Sequence, residues 1–170
     1  MFVFSRPWLA RTPVVAALLL IAVIPVGVAG SLHETLPAQA VVRRVIDGDT
    51  VELSDGRLVR YIGINTPEVR RRVGDTWVKD PEPYAEAATD ANRRLVEGRT
   101  VRIEYDVQTH DRYGRLLAYV YVGDQMVNDA LLDAGYAQVM TIPPNVKYVE
   151  RFRAVAARAR AAGRGLWAGR

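Results

Sequence analysis

The 170-residue sequence has no cysteine, so disulfides, thiolate metal sites and a cysteine nucleophile are all excluded. Histidine is almost missing too: His33 and His110 are the only candidates for a zinc site built on imidazoles. There is no internal repeat, heptad series or low-complexity stretch, which argues against solenoid and coiled-coil architectures. Nor does the chain show the charge excess or apolar poverty of a disordered one. Its 49% hydrophobic and 25% charged residues are ordinary for a soluble protein. The length suits one domain plus an appendage, since a useful core needs roughly 100 to 150 residues. A net charge of +4 and a pI near 9.6 permit a polyanion partner, although charge alone favours a plain solvated surface.

Charge is also absent from one long run. Arg6 and Arg11 precede a stretch from Thr12 to Leu32 that carries no charged residue. Residues 1–30 are therefore expected to be an export signal. They fit a cleaved signal peptide, with Gly27-Val28-Ala29 as the small-residue site, or a transmembrane anchor long enough to cross a bilayer. Either form puts the remainder outside the cytoplasm, secreted or held at the cell membrane, with the arginines on the cytoplasmic side. Missing cysteine does not argue against that location. Loss of the segment lowers the net charge from +4 to +2, so any nucleic-acid site has to be a local arrangement of arginines. Residues 31–40, SLHETLPAQA, read as a tether, and the domain is expected over 41–168.

Within the domain, VVRRVI at 41–46 and TVEL at 50–53 are β-branched runs split by Asp47-Gly48-Asp49. Ser54-Asp55-Gly56 then turns the chain into RLVRYIGI, a third strand. The polar stretch PEVRRRVGDTWVKDPEP reads as a long loop, mobile or functional. Tyr84, Ala88, Ala91 and Leu95 then recur at helical spacing up to Gly98. TVRIEYD at 100–106 alternates as a half-buried strand, and LLAYVYV at 116–122 is apolar on both faces, as a central strand is. A short helix is predicted from an Asn128 cap to Gly135, and a last one over about 146–162 with Tyr148, Phe152, Val155 and Ala159 on one stripe. Five strands and three helices, with one helix between the third and fourth strands, suggest an α+β chain with a small closed barrel of the OB type, and other α+β arrangements stay open on length and pattern alone.

Asp47, Asp49, Asn65, Thr66 and Glu68 put oxygen donors at the ends of strands that pairing would bring together, and hard cations want such oxygens. By itself Asp47-Gly48-Asp49 reads more readily as a turn than as a ligand set. Arg60 is the unusual residue. It stands among Leu58, Val59, Tyr61 and Ile62, and by strand parity it shares a face with Ile62 and Ile64. A guanidinium there is either paired inside, with Asp49 or Glu68, or opens onto a cleft and meets an anion, and its expected partner is partly protein and mainly a substrate phosphate. Arg115 offers a second fork, although alone it reads as a solvated loop arginine. Two arginines, a cation-binding cluster and a glutamate fixed behind Pro67 suit phosphodiester hydrolysis. Planar donors and a divalent ion meet the charge that grows on the phosphoryl oxygens, and Glu68 takes the proton of the attacking water.

I-D-G-D-T at 46–50, R-Y-I-G-I-N-T-P-E at 60–68 and D-R-Y-G-R at 111–115 resemble the staphylococcal nuclease, or thermonuclease, family. The similarity continues through EPYAEAATDANRRLVEGRTVRIEYD, LLAYVYVGDQMVNDALLDAGYA and GRGLW, from Val41 to Trp167. It implies an OB-type barrel and calcium-dependent cleavage of DNA and RNA that leaves a 3′-phosphate. It also implies roles: Asp49, Asn65 and the Thr66 carbonyl as calcium ligands, Glu68 as general base, Arg60 and Arg115 as phosphate clamps, and Arg112 and Tyr113 at a terminal phosphate. A monomer is expected. Two departures stand out. Many members carry aspartate at the position of Asn65, and the type member has a tyrosine pair where this chain reads M-T-I-P-P-N from Met140 to Asn145. Arg70, Arg71 and Arg72 could offset the lost stacking through phosphate contacts. The competing expectations are a nuclease-like nucleic-acid-binding module with little or no turnover, and a membrane-tethered protein-interaction domain.

Overall fold

The computed structural model describes residues 35–169. The expected export signal therefore lies outside the described residues. Five strands carry the architecture: β1 (Gln39–Val45), β2 (Thr50–Leu53), β3 (Leu58–Tyr61), and, after one short strand and a hairpin, β7 (Thr100–Glu104) and β8 (Leu116–Val122). β1 pairs antiparallel with β2 and β7, β2 with β3, and β7 with β8; β3 closes the cylinder by running parallel to β8. Closure removes the free edges that an open sheet would expose.

Burial follows the patterns in the sequence. Val101 and Ile103 face inward while Arg102 stays out. β8 touches three neighbours, β3, β7 and the short β9 (Gln125–Met126), and is buried over nearly its whole length, as its two-faced apolar run requires. The barrel starts earlier than the composition suggests, since β1 begins inside the expected tether. Pro37 accepts a hydrogen bond from the Tyr105 hydroxyl at 3.0 Å, and Ala38 accepts one from the Ile103 amide at 2.8 Å.

Three helices cover the barrel: α1 (Ala85–Val96), α2 (Val127–Asp133) and α3 (Val149–Ala161). On α3, Phe152, Val155 and Ala159 form the buried stripe. On α1 the inward face is Ala85, Ala88, Thr89, Ala91, Asn92 and Val96, with Tyr84 outside it as an exposed cap at φ 69°. Asn128 does not cap α2. It lies in the first turn, wholly buried, where its amide accepts from the Val120 N–H at 3.1 Å and donates to the Ile62 carbonyl at 2.9 Å. That pair of bonds ties α2 to the end of β8 and to the chain leaving β3.

The stretch read as a loop after Glu68 contains a hairpin, β5 (Arg70–Val73) with β6 (Thr76–Lys79). All eight of its strand residues are exposed, so no burial alternation existed for the sequence to display. The third predicted strand is also shorter than its apolar run. The chain turns at Gly63, whose φ is 80° and where a Cβ would fall 2.5 Å from the Phe152 ring, and resumes as β4 (Ile64–Asn65), paired with β10 (Gln138–Val139). Strand parity therefore does not carry from Arg60 to Ile64.

Candidate active site

The turn between β1 and β2 is built before any ligand is considered. The Asp49 amide donates to Asp47 Oδ1 at 3.0 Å, an Asx turn that holds the two carboxylates together. Gly48 passes so close to Thr66 that a Cβ would fall 2.5 Å from Thr66 Oγ1. This contact seats the Asp turn on the β4 end. Asp49, 4% exposed, accepts at Oδ2 from the Thr66 amide (2.8 Å) and hydroxyl (3.2 Å), and at Oδ1 from the Thr50 hydroxyl (3.2 Å).

Arg60 is buried beside it. Its NH1 donates to the carbonyls of Tyr61 and Ile64, each at 2.9 Å, and lies 3.1 Å from Asp49 Oδ2. Its NH2 donates to Asn65 Oδ1 at 3.0 Å. The fork is thus paired inside the protein, and only Nε and one hydrogen of NH2 are left for another acceptor. The Gly63 turn makes this possible, because it brings the Ile64 carbonyl and Asn65 back around the guanidinium. Asn65 in turn donates through Nδ2 to the Thr66 carbonyl at 3.3 Å.

Glu68 follows Pro67 at the exposed rim, where its backbone exchanges hydrogen bonds with Glu82: its amide donates to Glu82 Oε2 at 3.0 Å, and its carbonyl accepts from the Glu82 amide at 2.9 Å. Partial loss of water raises the Glu68 carboxyl above its ordinary value. The carboxylates of Asp47 and Glu82 add to the rise, and the guanidinium groups of Arg60 and Arg115 oppose it. Both arginines are therefore close enough to act on this one carboxylate. Arg115 stands on the β7–β8 connection, held by Asp111, which accepts from the Arg115 amide at 3.0 Å and from its Nε at 2.7 Å. Burial pushes the Asp111 carboxyl up, but these bonds, with one from the Tyr113 amide, reverse that and hold it below the usual carboxylate range. The terminal nitrogens of Arg115 meet no acceptor among the described residues. Tyr113 stands exposed beside it, its hydroxyl accepting from Arg112 at 2.7 Å.

Asp49 shows the strongest electrostatic conflict. Burial pushes it up from 3.8 to about 7, against the pull of Arg60 and with a further push from Asp47. A buried carboxylate in that condition favours an added cation. The available donors are hard oxygens: Asp49, Asp47, the Thr66 carbonyl and the Asn65 amide oxygen, which suits calcium with water filling the remaining places. Because Asn65 Oδ1 serves Arg60, the set is poorer in charge than one with a third carboxylate, and among the described residues no group of three His, Asp or Glu gathers as a metal cage.

The Staphylococcal nuclease homologue profile matches residues 58–169. The thermonuclease of Staphylococcus hyicus is 40% identical over 127 residues, 73% of this chain and 72% of that protein. This chain belongs to the staphylococcal nuclease homologue family. The thermonuclease of Staphylococcus intermedius is 44% identical over 110 residues, 63% of this chain and 62% of that one. The endonuclease YncB of Bacillus subtilis is 40% identical over 115 residues, 65% and 52% of the two chains.

Direct contacts join Asp49, Arg60, Asn65 and Thr66; Glu68 stands within electrostatic reach of Arg60 and Arg115, and Arg112 and Tyr113 lie on the rim beside Arg115. The structure also supplies residues that the sequence reading missed. Asn92 of α1 is wholly buried, accepts from the Tyr61 hydroxyl at 2.9 Å and donates to the Asp47 carbonyl at 3.0 Å, so this staphylococcal nuclease homologue ties its acidic turn to a helix. The signal was present: an amide on an apolar helix stripe needs buried partners. Asp111, which orients Arg115, carried no comparable mark, since an Asp opening a D-R-Y-G turn is an ordinary turn former.

Proposed function

We propose that this phosphodiester-hydrolysing nuclease cuts DNA and RNA with calcium, acting as an exported enzyme. The observation that carries the catalytic reading is that Glu68 feels both Arg60 and Arg115 beside a buried carboxylate turn. Glu68, raised above the ordinary glutamate value yet titrating as an acid, accepts the proton of the attacking water. The bond from water oxygen to phosphorus forms as the bond to the 5′-oxygen breaks, leaving a 3′-phosphate. The free terminal nitrogens of Arg115 and the remaining N–H groups of Arg60 receive the charge on the phosphoryl oxygens. Asp49, the Thr66 carbonyl and Asn65, with Asp47 alongside, would hold the calcium ion. What that ion supplies when bound is positive charge against the phosphoryl oxygens. Arg112 and Tyr113 contact a terminal phosphate. One chain supplies every group, so the enzyme works as a monomer.

Export rests on residues 1–30, whose basic start and charge-free run support either a cleaved signal or an anchor. Among residues 35–169 no helix is long and apolar enough to cross a membrane. The mass of the mature N-terminus separates the two forms.

The catalytic test is incubation of the purified chain with single-stranded DNA in calcium, then in chelator. Fragments that appear only with calcium are expected, and Glu68→Gln is expected to cut about 10²- to 10⁴-fold more slowly while still binding DNA. DNA that is retarded but intact would instead identify a binding module.

A further inference from the structure

The β5–β6 hairpin takes no part in the chemistry above, yet it stands next to it. Its strands pair only with each other, in the register Arg70↔Lys79, Arg71↔Val78, Arg72↔Trp77 and Val73↔Thr76. Cross-strand partners share a face and alternate residues return to it. Arg70, Arg72, Trp77 and Lys79 therefore occupy one side of the ribbon. Lys79 is spent on Glu86 at 2.7 Å, and Arg72 on Asp75 at 3.0 Å. Arg70 has no partner among the described residues, and the Trp77 indole is 65% exposed. A two-stranded ribbon gains nothing in stability from holding an indole in water.

Trp77 and Arg70 line a cavity of about 440 Å³, and Glu68, the proposed base, is part of the same wall. The rest of that wall bears Arg71, paired with Asp80, together with Pro81 and Glu82, whose Oε2 accepts from the Glu68 amide. The other Glu82 oxygen can accept a hydrogen bond from the N–H edge of a nucleobase, and the indole offers it a stacking face. The nearest cation without a partner, Arg70, suits the phosphate joined to such a base. The Met140–Asn145 stretch contains no ring that could take this task.

We propose that Trp77 is the stacking platform for an unpaired base next to the scissile phosphate, with Arg70 on the adjoining phosphate, so that this hairpin is a base-binding wall of the site. The proposal rests on the nuclease reading. Stacking of this kind requires a base with a free π face, which a duplex withholds.

The test uses the full chain in two assays. Cleavage of single-stranded and duplex DNA is compared for wild type, Trp77→Ala and Trp77→Phe. Trp77→Ala is expected to lower the single-strand to duplex ratio of kcat/KM by about 5- to 150-fold, through KM, with Trp77→Phe restoring most of it. Equal losses on both substrates, or no loss, overturn the proposal. Separately, tryptophan fluorescence is titrated with oligothymidylate in chelator, where no turnover is needed. Quenching that vanishes in Trp77→Phe supports stacking even if wild type cuts nothing, an outcome that would sink the nuclease reading instead. Quenching that survives in Trp77→Phe places the base elsewhere and overturns the proposal. Arg70→Gln is expected to reduce the salt slope for single strands by about 0.7, and an unchanged slope removes Arg70 from the site.

Discussion

Replacing Arg60 by methionine removes a fork that holds Asp49 Oδ2, two backbone carbonyls and Asn65 Oδ1 at 2.9 to 3.1 Å, all in the interior. Breaking a buried pair from one side costs about 3–5 kcal/mol, because the partner charge stays behind without compensation. For a domain of this size that lowers the melting temperature by on the order of 15 °C. Adding Asp49→Asn removes the stranded charge. The double variant is then expected to be about 2 kcal/mol more stable than Arg60→Met alone, the residual cost being the orphaned carbonyls. The deficit also depends on pH. Asp49 has a folded value near 7, above its ordinary 3.8, so its stabilising contribution is present below 3.8 and is lost as pH rises through 7. Without Arg60 the folded value climbs further and the loss deepens. Urea melts in calcium-free buffer from pH 4 to 9 should therefore show a gap between wild type and Arg60→Met that widens with pH. A gap that is flat, or a double variant that loses the sum of the two singles, would refute the pairing described.

Arg115 holds the Glu68 carboxyl down, so Arg115→Gln should move the acidic limb of the kcat/KM profile to higher pH as well as slowing cleavage; an unmoved limb would mean that Arg115 does not face Glu68. Asn92→Ala leaves the Tyr61 hydroxyl and the Asp47 carbonyl without partners in the interior, an expected loss of about 2–4 kcal/mol by urea melt. Calcium affinity should fall in the same variant because the Asp47–Asp49 turn loses its tie to α1, whereas a variant with wild-type stability would show that water replaces the amide.

The barrel was legible wherever burial imposed a period. Val101 and Ile103 against Arg102, and the two-faced run at 116–122, place β7 and β8 correctly because each apolar position has a core to meet. The hairpin at 70–79 was illegible for the converse reason: its residues bury nothing, so no pattern was selected. Asn128 was mistaken for a cap because a polar residue before an apolar run has the same local chemistry whether it bonds its own helix or, as here, the Ile62 carbonyl and the Val120 amide. At the site, residue types named the participants, but Arg60, expected to meet mainly a substrate phosphate, is held chiefly by acceptors inside the protein. That arrangement depends on the Gly63 turn, which folds Ile64 and Asn65 back onto the guanidinium and is set by contact with Phe152, 89 residues away.

The outcome for Arg60 gives the two arginines different physical roles. Four acceptors lock Arg60, so its remaining N–H groups point in a direction fixed when the chain folds, and little reorganisation is left for the reaction. Arg115 is tied only at its stem, through Nε to Asp111, and keeps both terminal nitrogens for an incoming oxygen. On the proposed reading, a phosphoryl group arriving between them would meet one donor set by the core and one carried on a turn. The first can be lost only at the expense of the fold, so the stability of Arg60 variants has to be measured before their rates are interpreted. The second can be lost at the rim, where a change in rate reports the chemistry itself.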